Sequence, residues 1–169
     1  IFFISFITRP LGGIVFGYIG DRYGRKKSLL ISMIFMMIST AMIGLLPNYS
    51  KIGVFAPIFL LILRMIQTFS VSGELIVASV FAIEIAPKGK KGLFSSLIFT
   101  SIYIGLFLGS VFSLIISQIM DKNQLINFGW RIAFFISVIF GLISITLRLI
   151  SKESQEYIDL KKNNLVSIN

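Results

Sequence analysis

The sequence predicts an all-α polytopic membrane protein, a helical bundle with five transmembrane helices. Apolar residues make up 56% of the 169 residues and charged residues only 14%. A chain with so little polar surface cannot cover a soluble globule. The apolar residues fall into long runs, each able to cross a hydrocarbon core of about 30 Å. The predicted spans cover residues 1–19, 28–46, 54–86, 93–120 and 131–150, and a polar cytosolic tail covers residues 151–169.

The composition also excludes several classes of function. The chain has no cysteine and no histidine, which removes disulfides, thiolate and imidazole chemistry and the commonest metal ligands. Without a nucleophile–base pair or a metal cluster, we expect no enzymatic activity, no cofactor and no metal. The net charge of +9 raises the question of nucleic acid, but most bases lie in short connections between spans. Topology therefore explains them, and we expect no nucleic-acid partner.

Basic residues are distributed unequally between the two sets of connections, with eleven in one set and three in the other. Because Lys and Arg concentrate in cytoplasmic loops, the richer set and the C-terminus are expected to be cytoplasmic. The first residue then lies outside. A start within an apolar run, with no basic region of a secretory signal before it, leads us to expect a preceding span. The richer set is Arg22, Arg25, Lys26, Lys27, Lys88, Lys90, Lys91, Arg148, Lys152, Lys161 and Lys162; the other is Lys51, Lys122 and Arg131.

The connection between the first two spans carries the most specific pattern in the chain. It reads Gly17-Tyr18-Ile19-Gly20-Asp21-Arg22-Tyr23-Gly24-Arg25-Lys26, and about seven residues are too few for more than a tight loop between antiparallel helices. An ordinary positive-inside loop would explain its charge alone. It would not explain the glycine, acid and base positions together. Glu84, near the same end of the third span, is expected to pair with Arg22 or Arg25.

Charged side chains inside the spans are candidate functional residues, because each costs about 2.5–3.5 kcal/mol at the bilayer centre on insertion scales. Arg9 precedes Pro10 in the first span, where it either satisfies a carbonyl freed by the proline or binds a substrate carboxylate. Arg64, Gln67 and Glu74 share one face of the third span. Arg64 and Glu74 are about 15 Å apart along the helix, so each needs another partner. A salt bridge to a neighbouring helix and a pathway for protons or solute both remain open.

Small residues recur at a spacing of four in two spans. Gly13 and Gly17 lie in the first span, and a longer row lies in the fourth. Such rows let helix backbones approach closely in lipid, so packing is the expected role of both. The longer row is Ser101, Gly105, Gly109, Ser113 and Ser117.

Three segments resemble the major facilitator superfamily, in its metabolite:proton symporter branch. The first is Phe6-x-x-Arg9-Pro10-x-Gly12-x-x-x-Phe16-Gly17 with the loop that follows it. The others are Arg64-x-x-Gln67-x-Phe69-Ser70-Val71-x-Gly73-Glu74 and Gly129-Trp130-Arg131-Ile132-Ala133-Phe134-Phe135. Their order covers nearly the whole chain and is similar to helices two to six of a twelve-helix protein.

The resemblance implies a proton-coupled symporter of the cell inner membrane, most similar to members that carry osmolytes such as proline and glycine betaine. Dicarboxylates or other organic acids are alternative substrates, since they are carried within the same branch. A non-transporting remnant or partner subunit that only packs with other membrane helices is the alternative of another class. The implied gate is Asp21, Arg22, Gly24, Arg25 and Lys26, and the implied proton or substrate pathway is Arg9, Arg64, Gln67 and Glu74.

The implied partners are a small zwitterionic or anionic solute, protons, the lipid bilayer and the remaining helices of the transporter. Transport in this fold uses a site between two halves that move around it. The polar faces of five spans need water or partner helices, so the chain alone is not expected to transport.

The predicted orientation can be tested with single cysteines, because the chain has none of its own. A cysteine at Asn48 or Asn123 should react with an impermeant thiol reagent added outside intact cells. A cysteine at Gly89 should react only after the cells are permeabilised. The opposite labelling pattern would overturn the orientation and the cytoplasmic gate with it.

Overall fold

The computed structural model describes residues 7–151, 153, 157 and 158, and these residues are almost entirely helical. Two short helices, α3 (Tyr49–Ile52) and α6 (Lys122–Gln124), lie in the connections, and a π-helical turn (Leu125–Gly129) follows α6. The long helices are α1 (Thr8–Tyr23), α2 (Arg25–Leu45), α4 (Phe55–Ile85), α5 (Lys91–Ile119) and α7 (Trp130–Ile150).

Four of the described helices are long and apolar enough to cross a membrane. They are α2, α4, α5 and the continuous helical segment Lys122–Ile150, which contains α7. Helix α1 has 16 described residues, and residues 1–6 of the predicted first span lie outside the described part of the chain. The predicted all-α class is confirmed by this architecture.

Helix α4 is the centre of the bundle. It packs against α1 and α2, α2 packs against α7, and α5 contacts α4 along a smaller surface. The core between α1, α2 and α4 is formed by Phe16, Leu29, Val77 and Phe81, of which Phe16 is only 2% exposed. The ring of Phe16 also contacts that of Phe69, with centroids 5.3 Å apart.

Two glycines allow α1 and α4 to approach each other closely. A Cβ at Gly12 would collide with the backbone carbonyl of Phe69, and a Cβ at Gly73 would collide with the ring of Phe16. The predicted pair is thus only half right. Gly13 faces the side chain of Ile76, whereas no atom of the described residues lies within 4 Å of a Cβ at Gly17. The closest approach of α1 to the backbone of α4 is at Gly12, because this residue faces Phe69 of α4.

The predicted loop between the first two spans is a single residue. Helix α1 continues to Tyr23 and α2 begins at Arg25, so only Gly24 lies between them. Its φ of 107° belongs to a region that glycine adopts readily and other residues avoid. The amide of Gly24 still bonds to the carbonyl of Gly20 at 3.2 Å. The chain therefore reverses direction at one glycine, and the gate residues lie on helix ends.

The small-residue row of α5 does not pack as predicted. No residue of α5 is buried, and within the described part of the chain nothing lies within 4 Å of a Cβ at Gly105 or Gly109. The row borders an open cleft that also includes Met36 and Glu74. Helix α5 lies at the edge of the bundle, so this face meets no described helix.

At the end of the bundle opposite Gly24, Arg131 ties α7 to α2. Its Nη2 donates to the carbonyl of Leu46 and to Oδ1 of Asn48, both at 2.9 Å, and its Nη1 donates to the carbonyl of Asn127 at 2.8 Å. The carbonyl of Leu46 follows the last turn of α2, where helix carbonyls lack partners within the helix. A structural contact thus accounts for the arginine of the Gly129-Trp130-Arg131 segment.

The close contact between α1 and α4 predicts different effects for two matched substitutions. Gly12→Ala should lower the free energy of unfolding by about 1–3 kcal/mol, because the added methyl group must displace α4. Gly17→Ala should leave stability unchanged or slightly higher, since alanine favours helix more than glycine does. Thermal unfolding of the two purified variants in detergent measures this difference. Equal stability of the two variants would contradict the contact.

Candidate functional site

The charged turn around Gly24 is centred on Arg25. Its Nε donates to Oε1 of Glu84 on α4 at 3.0 Å, and its Nη1 pairs with Asp21 on α1 at 2.5 Å. The side chains of Arg25 and Glu84 are only 15% and 11% exposed, whereas that of Asp21 is 69% exposed. Of the two arginines considered as partners of Glu84, Arg25 is therefore the one in contact. Its guanidinium joins α2 to α1 and α4.

Arg22, by contrast, lies on the surface of α1. Its guanidinium packs over the rings of Tyr18 and Tyr23, with centroid distances of 5.8 and 5.7 Å, and donates to the Tyr18 hydroxyl. Arg22 and Arg25 thus have different surroundings, although the motif places them in one cluster. Only Arg25 is part of the buried ion pair.

Two residues of the tail contact this turn, and the sequence reasoning did not select either of them. Both carboxylate oxygens of Glu153 accept from the backbone amide of Lys26, at 3.1 and 3.2 Å. The hydroxyl of Tyr157 donates to the carbonyl of Arg22 at 3.0 Å. Burial, and then the charge of Glu153, raises the pKa of Tyr157 above its ordinary value. Glu153 lies outside the described helices, so no helical spacing in the sequence marks the two residues together.

Lys26 completes this arrangement of helix ends. Its Nζ donates to the carbonyl of Leu149 at 2.6 Å, at the C-terminus of α7. A cation there and the Glu153 carboxylate at the N-terminus of α2 both have the favourable sign for a helix dipole. The hydroxyl of Ser151, just after α7, donates to the carbonyl of Leu147 at 3.0 Å. In the tail, Tyr157 and Ile158 are helical.

Arg64 and Gln67 belong to a polar chain that links three helices. Nη1 of Arg64 donates to Oε1 of Gln67 at 2.9 Å, and Nε2 of Gln67 donates to Oγ1 of Thr40 on α2 at 2.8 Å. The guanidinium of Arg64 also lies 5.7 Å from the ring centroid of Phe134 on α7. These contacts connect Arg64 of α4 to α2 and α7.

Glu74 lies in a different place, in a cavity of about 540 Å³ between α1, α4, α5 and α7. Arg9 of α1 and Arg148 of α7 line the same cavity, together with Ser72 and Ser101. Arg148 packs over the ring of Phe81, 4.8 Å from its centroid, and interacts electrostatically with Glu74. The structure therefore brings Glu74 together with Arg9 and Arg148, and it places Arg64 and Gln67 elsewhere.

The sequence reasoning missed Arg148 as a site residue, because its position near the end of a span placed it among the bases of a connection. Its helical position was the available signal. Arg148 lies within α7, two residues before the helix ends at Ile150. A long side chain at that depth can reach back along the helix into the bundle.

Comparisons with known proteins identify the family of the chain. The family model described as sugar (and other) transporter matches residues 1–166. The chain belongs to this family of membrane transporters, within the major facilitator superfamily, and is a multi-pass membrane protein.

Among its relatives are transporters of small solutes. The proline/betaine transporter of Escherichia coli (strain K12) is 43% identical over 161 residues, which cover 94% of this chain and 32% of that protein. The glycine betaine/proline/ectoine/pipecolic acid transporter OusA of Dickeya dadantii is 42% identical, with coverages of 92% and 31%. The shikimate transporter of Escherichia coli (strain K12) is also 42% identical, with coverages of 92% and 36%. The chain thus spans about a third of the length of these relatives.

A solved structure of similar fold is the proton:xylose symporter XylE bound to 6-bromo-6-deoxy-D-glucose. It matches with a TM-score of 0.83 at 22% identity, over 96% of this chain and 36% of that chain. The inward open conformation of XylE from Escherichia coli gives the same TM-score at 23% identity, over 96% and 39%. At 22–23% sequence identity, the structural similarity to XylE establishes the fold of this chain.

The two carboxylates that contact Arg25 should differ in their contribution to stability. Glu84→Gln should lower the free energy of unfolding by about 3 kcal/mol, because it leaves a largely buried guanidinium without its buried partner. Asp21→Asn should cost less than about 1 kcal/mol, since solvent already screens that pair. Unfolding of each purified variant in detergent, followed by circular dichroism, provides the comparison. A larger loss for Asp21→Asn would contradict the assignment of Glu84 as the principal partner.

Proposed function

We propose that this chain supplies five transmembrane helices of a proton-coupled symporter for zwitterionic osmolytes such as proline and glycine betaine. The observation that carries the proposal is Glu74, an ionisable carboxylate within α4 that faces a cavity with two arginines. Ionisable residues inside membrane spans are expensive to insert and usually mark ion or substrate pathways. The relatives named proline/betaine transporter and OusA support the choice of solute.

Glu74 is suited to carry the coupled proton. When it is ionised, its charge opposes those of Arg9 and Arg148, and protonation raises the net charge of the three groups by one unit. A cavity that has become more positive attracts the carboxylate of a solute more strongly. Proton binding and solute binding therefore favour each other, which is the thermodynamic requirement for symport.

The turn around Gly24 is proposed as the cytoplasmic gate, formed by Asp21, Arg22, Gly24, Arg25 and Lys26. The excess of basic residues in the connections at this end supports a cytoplasmic position, and with it a cytoplasmic C-terminus in the cell inner membrane. Arg25 holds α1, α2 and α4 together at this end through two ion pairs. Movement of these helices apart must break the pair with Glu84, so this pair would stabilise the closed state.

A complete transporter of this superfamily needs a second set of helices around the central site. The remaining helices of the transporter are therefore the proposed protein partners of this chain, and the open cleft beside α5 offers a face for them. The alternative is a remnant or partner subunit that only packs with other helices. An organic acid is the alternative substrate, since a shikimate transporter is 42% identical to this chain.

The proposed role of Glu74 is tested in a complete transporter that contains this chain. Glu74→Gln should abolish uptake driven by a proton gradient and spare exchange of solute across the membrane, because an amide cannot bind and release a proton. Asp121→Asn is the matched control, since it makes the same chemical change at an exposed position outside the cavity. Radiolabelled proline and glycine betaine report both activities.

Arg64→Ala in the same transporter separates the two roles left open for that residue. A pathway role predicts loss of uptake per molecule at normal protein level. A reduced protein level with normal uptake per molecule would identify Arg64 as a structural link to α2 and α7.

Full gradient-driven uptake by Glu74→Gln would refute the proposed proton site. Absence of uptake by the unmodified transporter would favour the alternative in which the chain only packs with other helices.

A further inference from the structure

Two side chains of the tail, those of Glu153 and Tyr157, pack directly on Gly24. Gly24 is buried. A Cβ at this position would collide with a carboxylate oxygen of Glu153 and lie 3.2 Å from the ring of Tyr157. Tyr157 itself is only 9% exposed. The turn thus requires glycine for two reasons, its φ of 107° and the close packing of the tail against it.

The two tail residues bind the ends of α1 and α2. Backbone groups at helix ends lack partners within their own helix, and Gly24, the residue before α2, has no side chain to bind them. Both oxygens of Glu153 accept from the amide of Lys26, in the first turn of α2. The hydroxyl of Tyr157 donates to the carbonyl of Arg22, in the last turn of α1. Residues distant in sequence therefore supply what a local cap would otherwise provide.

A bond in the opposite direction joins the turn to the end of α7. Nζ of Lys26 donates to the carbonyl of Leu149 at 2.6 Å, one residue before α7 ends. Lys26 thus binds the tail through its amide and α7 through its side chain. Movement of the turn away from α7 and the tail would have to break these bonds together, which favours two discrete arrangements.

The cavity between α1, α4, α5 and α7 extends to the same end of the bundle. Its lining includes Ile85, the last residue of α4, and Arg148, two residues before the end of α7. Arg148 also interacts electrostatically with Glu153. The contact between the tail and the turn therefore lies beside the end of the cavity that is nearer to Gly24.

We propose that Glu153 and Tyr157 form a strap that closes access from the cytoplasm to this cavity by holding α1, α2 and α7 together at Gly24. The inference rests on the cytoplasmic gate proposed above, and it adds two positioning residues from outside the gate motif. Hydrogen bonds to helix ends can be exchanged for bonds to water at modest net cost. The strap can therefore break and re-form in each transport cycle.

Amide hydrogen exchange tests the strap in a complete transporter that contains this chain. Glu153→Ala should speed exchange of the Lys26 amide at least about tenfold, because the amide loses its acceptor and the turn opens more often. Glu153→Gln keeps an acceptor oxygen without the charge and should give a smaller increase. Mass spectrometry of peptides that span residues 22–28 measures the exchange.

Tyr157→Phe provides a second, milder variant, since it removes the hydroxyl and keeps the ring. It should speed exchange at the turn at least about twofold, and it carries the test if Glu153→Ala does not fold. Two matched controls should leave this exchange unchanged. Asp121→Ala removes a carboxylate from the residue before α6, at the opposite end of the bundle, and Tyr103→Phe removes a hydroxyl from a side chain of α5 that is 70% exposed.

Thiol accessibility from the two sides of the membrane separates a strap from a contact that only stabilises the fold. Ser101 lines the cavity, so Ser101→Cys in a transporter without other cysteines reports the side to which the cavity opens. Glu153→Ala should raise the rate of modification by an impermeant reagent at least about threefold in inside-out vesicles and lower it in right-side-out vesicles. Loss of a contact that only stabilises the fold would raise both rates.

Three results would overturn the strap. They are unchanged exchange at the turn in both Glu153→Ala and Tyr157→Phe, rates that change equally from the two sides, and a Ser101→Cys thiol that reacts from neither side. None of the measurements needs a proton gradient or a particular solute. The strap can therefore fail while the transporter takes up solute with protons, and a transporter without proton coupling can still show the strap.

Discussion

A charged side chain in an apolar layer must reach an opposite charge, a hydrogen-bond partner or water, since insertion alone costs about 2.5–3.5 kcal/mol at the bilayer centre. Helix α4 contains three such charges, Arg64, Glu74 and Glu84, and each is accommodated by different contacts. Arg64 bonds to Gln67 and packs on an aromatic ring, and Glu84 pairs with Arg25. Glu74 faces a cavity opposite Arg148. Its central position lets α4 reach partners on both α2 and α7.

Close backbone contact fixes the geometry in which these partners meet. Gly12 and Gly73 allow α1 and α4 to pack with the ring of Phe16 held between them. The hydroxyl of buried Ser28 donates to the carbonyl of Phe16 at 2.6 Å, so α2 is joined to the same point. In lipid, such contacts replace burial from water as the source of association between helices. The ion pair between Arg25 of α2 and Glu84 of α4 lies nearer to Gly24 on the same helices.

The end of the bundle at Gly24 combines a buried ion pair with several contacts to helix ends. Glu153 and Tyr157 bind backbone groups of the turn, and Lys26 binds the end of α7. Each of these contacts joins segments that are distant in sequence, so separation of the helices at this end must break several of them together. Packed interfaces of this kind tend to have discrete arrangements and not a continuous range. This is a physical basis for two-state behaviour at the proposed gate.

The sequence by itself determined the helical class, the apolar spans and the family, because hydropathy and motif spacing are properties of local chain order. It also selected Arg25, Glu84 and Glu74 as charges that need partners. Only the tertiary structure decided which partners they have. The pairing of Glu84 with Arg25 and not Arg22 depends on how α2 and α4 face each other, and the reversal at Gly24 alone depends on one φ angle. Arg148 joined Glu74 because α7 returns to the cavity from a distant part of the chain. The open face of α5 likewise depends on which helices are its neighbours, a choice that no local pattern of small residues contains.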